Sequence, residues 1–140
     1  MGRSLRYRFS VLFKYTNEHQ WVKYDSVTKI AQVGITDYAQ KELGDIVHVE
    51  SPKIGLKFKK SLPTGAIESV KVAADIYAPV SGEVVNINDE VKNNPSLINE
   101  DAERYWIYEA KVDNQAEVEQ LMTKEQYLEF LKGLVHWDNH

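Results

Sequence analysis

A lysine set between two strand-like runs is the arrangement in this 140-residue chain that offers chemistry by itself. Gly65-Ala66-Ile67 and Val72-Ala73-Ala74-Asp75-Ile76-Tyr77 are apolar and suited to extended backbone, and the second run ends in Pro79 and the turn dipeptide Ser81-Gly82. The linking Ser69-Val70-Lys71 puts Lys71 at the tip of a β-hairpin. An amine held out on a rigid turn is open to covalent modification, because the ladder on either side fixes its backbone; the alternative, a solvated surface lysine, describes most lysines. Other chemistry lacks residues. The chain has no cysteine, so no disulfide, thiol nucleophile or thiolate metal site is encoded, and any sulfur redox chemistry has to come from an attached group. His19, His48, His136 and His140 show no metal-ligand spacing, and no Gly-rich phosphate loop is present.

The elements that must position Lys71 are short and mostly β. With 43% hydrophobic residues, the chain has enough apolar material for one domain with its own core. A net charge of -4 argues against a general nucleic-acid binder, and no apolar run is long enough to span a membrane as a helix. The first fourteen residues carry Arg3, Arg6, Arg8 and Lys14 and no acid, the composition of a mitochondrial-type presequence or of a short basic tail. Residues 1–13 are therefore set apart from a folded domain at 14–133, with 134–140 as a C-terminal tail. Asp25-Ser26 is expected to form a turn and Ile30 to Ile35 a returning strand. Thr36 is suited to cap a short helix through Leu43, with Gly44 just beyond its end.

Gly44-Asp45-Ile46-Val47-His48-Val49 and Gly82-Glu83-Val84-Val85-Asn86-Ile87 form a weak internal repeat, which suggests two related halves. Pro52 to Lys60 alternates lysine with apolar residues and is expected to be a half-buried strand with a solvated face. Asn88-Asp89-Glu90 and Asn93-Asn94-Pro95 are turn signals, and Trp106 to Val112 alternates as an amphipathic strand. Asn114 with Glu117 and Thr123 with Gln126 have capping-box spacing, so two C-terminal helices are expected. Leu121, Tyr127, Leu128, Leu131 and Leu134 would pack one helical face on the β core.

Glu68-Ser69-Val70-Lys71, with Ala73 and Asp75-Ile76-Tyr77-Ala78-Pro79-Val80-Ser81-Gly82-Glu83-Val84, resembles the lipoylation segment of glycine cleavage system H proteins. Gly34-Ile35-Thr36-Asp37-Tyr38-Ala39-Gln40 with Leu43-Gly44-Asp45, and Asn94-Pro95-Ser96-Leu97-Ile98-Asn99, resemble further segments of that family. Biotinyl carriers usually flank their lysine with methionines, whereas Val70 and Val72 stand here. The resemblance implies a barrel-sandwich hybrid of the lipoyl and biotinyl carriers, with short flanking helices, one after the first hairpin and two C-terminal. It implies lipoic acid in amide linkage to Lys71, Glu68 read by the lipoate-attaching enzyme with Ser69, Val70 and Val72 framing the site, and Asp75 close to the arm. It also implies that Tyr15 to Val22 is the opening strand, with an arm cleft between that strand and the hairpin, near His19 and Gln20. Gln20 stands where most members carry glutamate, and Glu100 to Trp106 departs from the usual Pro-Tyr-x-x-Gly-Trp.

On the same resemblance the protein is a non-catalytic, monomeric carrier. It would take the aminomethyl group of glycine from a pyridoxal-phosphate glycine decarboxylase to a tetrahydrofolate-dependent aminomethyltransferase, and be reoxidised by the flavoenzyme dihydrolipoamide dehydrogenase. The place implied is a mitochondrial or similar organelle matrix in a eukaryote, otherwise the cytoplasm. A lipoate relay without glycine cleavage, or an unmodified scaffold homologue, would use the same hairpin.

Overall fold

Period-two alternation between residues 11 and 112 becomes nine strands in the computed structural model, which describes residues 10–138. The strands are β1 (Val11–Tyr15), β2 (Gln20–Asp25), β3 (Ile30–Ile35), β4 (Ile46–Glu50), β5 (Lys57–Phe58), β6 (Pro63–Ser69), β7 (Ala73–Tyr77), β8 (Gly82–Ile87) and β9 (Tyr108–Val112). Among the described residues five helices accompany them: α1 (Asp37–Leu43), α2 (Asp89–Asn93), α3 (Leu97–Glu100), α4 (Gln115–Glu119) and α5 (Lys124–Asp138). One antiparallel sheet runs β1-β2-β3-β9-β8-β5 and a second runs β4-β6-β7. The mostly β architecture with short helices is as expected, but the sheets are open and do not close into a barrel. The main core joins them: Val33 and Ile35 of β3, Val84 of β8 and Tyr108 of β9 pack with Ile46 and Val49 of β4, Ile67 of β6 and Ile76 of β7.

The expected opening strand is two strands. The chain reverses between Tyr15 and Gln20: Thr16 N–H donates to the Gln20 carbonyl at 2.9 Å, Gln20 N–H donates to Thr16 Oγ1 at 3.1 Å, and His19 sits at φ 65. No glycine or proline announces this turn. Consequently Val11 to Phe13, expected to lie in the N-terminal tail, belong to the sheet, and α1 follows the second hairpin rather than the first. Residues 1–9, the bulk of the basic stretch, lie outside the described residues. At the other end α5 continues through Asp138, into the stretch expected to be a tail.

Local signals held where their bonds are local. Thr36 Oγ1 accepts the Ala39 N–H at 3.2 Å, and Gly44, at φ 80, donates its N–H to Gln40. Thr123 and Gln126 make both bonds of a capping box, at 2.9 and 3.2 Å. Asn114 caps α4, but Glu117 turns away and accepts the Ser81 N–H at 2.7 Å, so a tertiary bond replaces the second half of the box. Around Asn88 and Asn93 the expected turns are short helices, α2 capped by Asn88. The lysine-rich strand shrinks to two residues, with Phe58 buried and Lys53 to Leu56 exposed. Tyr127 is buried and Leu131 packs near it, yet Leu128 is 47% exposed and faces away. The internal repeat has a structural counterpart: each copy breaks register between its third and fifth residues, at Ile46/His48 in β4 and at Val84/Asn86 in β8.

The Gly34 of the second sequence segment is required by a close approach. A Cβ there would lie 2.6 Å from the indole of Trp21, whose Nε1–H donates to the Ala102 carbonyl at 2.9 Å. Gly34→Ala is therefore expected to lower stability by about 1–3 kcal/mol through overpacking, read as a lower urea midpoint with unchanged slope. An unchanged midpoint would contradict the packing described.

Candidate functional site

The β6 and β7 ladder closes at the Glu68 and Ala73 pair, leaving Ser69 to Val72 as the turn. Its backbone donors are all engaged. Ser69 N–H donates to the Val72 carbonyl at 2.8 Å, Val70 N–H to the Asp45 carbonyl at 3.0 Å, and Lys71 N–H and Val72 N–H to Ser69 Oγ at 3.1 Å each. Four consecutive amides are satisfied without the Lys71 side chain, so the turn is fixed while the amine makes no hydrogen bond or ion pair among the described residues. Val70 and Val72 beside it are 67% and 50% exposed. Glu68 is also exposed and lies opposite His48 across the β4 and β6 ladder.

A second tier holds the turn's tether in place. Asn99 accepts the Ile46 N–H and donates from Nδ2 to the Gly44 carbonyl and to Gln40 Oε1, all at 2.9 Å, so it grips the chain on both sides of Asp45. The Lys71 stem lies against Gly44: a Cβ at Gly44 would be 3.3 Å from Lys71 Cε. Glycine serves there twice, because φ 80 suits it and because it leaves room for the lysine.

Next to this corner is a cavity of about 340 Å³. Ile35, Ala39, Leu43, Ile67, Ala74 and Ile76 give it apolar walls, His19, Gln20 and Tyr38 line one side, and Glu18, Glu42 and Asp75 bring carboxylates. Among the described residues no lysine or arginine lines it. From Lys71 to Asp75 the chain path is four residues, about 13 Å of extended strand. The expected site residues Lys71, Asp75, His19 and Gln20 are thus brought to one corner, with Asp75 exposed and lining the cavity. Glu18, Tyr38 and Glu42 were not singled out from the sequence. Only Glu18, next to His19, was within reach of a local argument, since the other two arrive on α1.

Gln20 is 2% exposed, and its Nε2 donates to the Tyr77 main-chain carbonyl. That bond joins β2 of one sheet to β7 of the other, beside Asp75. A carboxylate in its place would set two acceptors against each other in a buried position. His19 packs against Tyr38 with ring centroids 4.6 Å apart and the rings tilted by 37°, and its Nδ1 is 2.8 Å from the Tyr127 hydroxyl. Burial pulls the His19 imidazole below its ordinary value of 6.5, against the opposing pull of Glu18 and Glu42. Burial likewise pushes the phenols of Tyr15, Tyr108 and Tyr127 up to about 12, with Glu103, bonded to the Tyr15 hydroxyl at 3.1 Å, adding to the effect at Tyr15. A larger groove, about 680 Å³, lies across Gln20 and shares Glu18 with the first, but it lacks Asp75, His19 and Leu43. Among the described residues no group of three His, Asp or Glu side chains is placed to hold a metal ion.

The family profile described as glycine cleavage H-protein matches residues 13–134. The glycine cleavage system H protein of Acidobacterium capsulatum is 48% identical over 120 residues, covering 86% of this chain and 92% of that protein. The corresponding protein of Thermotoga maritima is 43% identical, covering 84% and 94%. A crystal structure of a glycine cleavage system H protein from Mycobacterium marinum superposes with a TM-score of 0.73 at 29% identity, covering 82% of this chain and 92% of that one.

Two outcomes follow from the geometry. Gln20→Glu is expected to cost about 1–3 kcal/mol near neutral pH, because the ionised carboxylate loses the Tyr77 bond and stays desolvated. The loss should shrink as pH falls and the new acid becomes a donor, and a pH-independent loss in urea titrations would contradict the bridge. The raised phenols favour the folded chain while protonated, so their contribution is whole below pH about 10, the unfolded value. It is lost as pH rises through about 12. Native-state phenolate absorbance should show tyrosines that resist ionisation until then; all tyrosines titrating together near 10 would be the contrary result.

Proposed function

This chain belongs to the glycine cleavage H-protein family, whose members are non-catalytic carriers of lipoate, and from that premise we propose that Lys71 is the residue that bears the lipoyl group. The observation that carries the reading is the turn in which the Ser69 hydroxyl and the Asp45 and Val72 carbonyls satisfy the four amides from Ser69 to Val72 and leave the lysine side chain outward. The residues present fit the group. An amine on a fixed turn accepts an acyl chain without disturbing any hydrogen bond, and a cavity with apolar walls lies within about 13 Å of strand. A lipoyl group on Lys71 would supply a dithiolane whose S–S bond can open, one sulfur taking the aminomethyl group left when glycine loses carbon dioxide and the other becoming a thiol.

The chain's own part is to present, shelter and release. Amide formation removes the Lys71 charge, so no cation remains at the hairpin tip to repel a protonated amine. Glu68, exposed and next to the turn, is the acid read by the lipoate-attaching enzyme, and Val70 and Val72 give both that enzyme and the later partners an apolar contact. The apolar walls would keep water from the far end of the arm, and the Asp75 carboxylate would accept the hydrogens of an ammonium held there. Gln20 holds β7, and with it Asp75, against β2.

In this reading the carrier visits a pyridoxal-phosphate glycine decarboxylase, a tetrahydrofolate-dependent aminomethyltransferase and the flavoenzyme dihydrolipoamide dehydrogenase in turn, as a monomer. The relatives named above come from bacteria, which favours the cytoplasm, and the organelle matrix is the equivalent place in a eukaryote. Among the described residues no helix is long and apolar enough to cross a membrane.

Intact mass and peptide mapping after exposure to a lipoate ligase and lipoate test the assignment. One lipoyl group on Lys71, and none in Lys71→Arg, is the expected result. Modification of another lysine, or none under conditions that lipoylate a control carrier, would contradict it. Glu68→Ala should slow attachment roughly tenfold or more, the effect of losing one charged contact of about 1.4 kcal/mol.

A further inference from the structure

His19 is tied to the rest of the chain by a hydrogen-bond relay whose direction the structure determines. The relay starts at a backbone amide: Ala39 N–H donates to Thr36 Oγ1 at 3.2 Å. Thr36 Oγ1 lies 2.7 Å from the Tyr127 hydroxyl, and that hydroxyl lies 2.8 Å from His19 Nδ1. Each hydroxyl has one hydrogen to give. If Thr36 donates to Tyr127 and Tyr127 to His19, every group is satisfied and Nδ1 is bare. In the reverse direction, Thr36 Oγ1 would accept from both Ala39 and Tyr127. Its own hydrogen would then have no acceptor in a residue with no exposed surface. The forward direction therefore wins, and the His19 proton resides on Nε2, which makes no hydrogen bond among the described residues.

A second link fixes the same pair. Thr36 N–H donates to the His19 carbonyl at 3.0 Å, so the residue at φ 65 and the helix cap move together. Among the described residues, the groups around the imidazole are Glu18 on its own turn, Tyr38 and Glu42 on α1, Tyr127 and Phe130 on α5, and Asp75 on β7 across the cavity. Glu18 and Glu42 favour a protonated imidazole. Burial and the relay oppose it, because a hydrogen on Nδ1 forces the relay into its unsatisfied direction.

We propose that His19 is a positioning residue of the arm cavity, held neutral with its proton on Nε2 by the Thr36 and Tyr127 relay. In that state the cavity wall carries no positive charge when a cationic cargo enters, and acidification through His19 expels that cargo. The inference rests on the carrier reading for the cargo, an alkyl chain ending in a protonated amine, while the relay itself does not depend on it. Helix α5, remote from Lys71 in sequence, thereby takes part in the site through one hydroxyl. Linkage makes the effect reciprocal: an ammonium in the cavity disfavours protonation of His19, and protonation of His19 disfavours the ammonium to the same degree.

Imidazole nitrogen NMR on the full, unmodified chain tests the relay alone. The expected spectrum shows the Nε2–H tautomer. In Tyr127→Phe the two tautomers should mix and His19 should protonate at higher pH, while Thr36→Ser, which keeps the hydroxyl, should behave as the parent. An Nδ1–H tautomer in the parent, or an unaltered titration in Tyr127→Phe, overturns the proposal.

The second readout is release of amine from the lipoylated, loaded chain against pH, each rate divided by that of His19→Asn. Asparagine tolerates positive φ and accepts the Tyr127 hydroxyl without titrating. The ratio should rise about tenfold as pH falls through the His19 titration, the equivalent of one pKa unit of interaction. A flat ratio overturns the role in the cavity and leaves the carrier reading standing. An unmodified Lys71, seen by intact mass, overturns the carrier reading and the cargo with it, and the tautomer measurement still decides the relay.

Discussion

The amides of four consecutive residues, Ser69 to Val72, must all find acceptors in a turn that offers few of its own, and most of the site follows from how they do so. The Ser69 hydroxyl takes two of them and the Asp45 carbonyl takes a third from outside the hairpin. An unmade bond at such a group costs about 1–3 kcal/mol, more than a made one contributes, so the turn has one good arrangement rather than several. That requirement reaches back through the chain. Asp45 is held because Asn99 grips Gly44 and Ile46, and Gly44 is where it is because Thr36 and Gly44 define the two ends of α1. Segments far apart in sequence converge on keeping one carbonyl in place, and the reward is a lysine whose side chain has no structural task.

The cavity beside that lysine depends on a different junction. Gln20 joins the two sheets through the Tyr77 carbonyl, and Trp21, its neighbour on β2, is anchored to Ala102 on the opposite side of the strand. Glu103 extends the anchor by accepting from Tyr15 and from the Asp37 amide. The stretch from Glu100 to Trp106, which departs from its family pattern, is thus a brace for β1, β2 and the start of α1. The amide at position 20 fits this junction because it can donate to a carbonyl. The same substitution takes a carboxylate away from the cavity, whose remaining acids are Glu18, Glu42 and Asp75.

What the sequence made legible was what neighbouring residues decide among themselves. The hairpin around Lys71, the cap and stop of α1 and the capping box at Thr123 each rest on a turn or capping signal between near neighbours, whereas the contact that requires glycine at position 34 comes from Trp21 on the adjacent strand and shows only in the fold. The reversal between Tyr15 and Gln20 was hidden, because it rests on a threonine hydroxyl and a histidine at positive φ with no glycine to mark it. Glu117 fitted a local cap and chose Ser81 instead, a case of tertiary bonding overriding local preference. The cavity was legible only in part. Asp75, His19 and Gln20 lie in segments with recognisable patterns, whereas Glu42, Tyr38 and the Tyr127 hydroxyl reach it only once the helices dock.

The proposed role of Lys71 as the lipoyl bearer in glycine cleavage is tested most directly by glycine-dependent exchange of carbon dioxide. The lipoylated chain would be mixed with a glycine decarboxylase of the system, with the unmodified chain as control. Exchange that requires the lipoyl group and glycine together is the predicted result. No exchange, with lipoate still passing from this chain to 2-oxoacid dehydrogenases, would contradict the account and make the protein a lipoate relay.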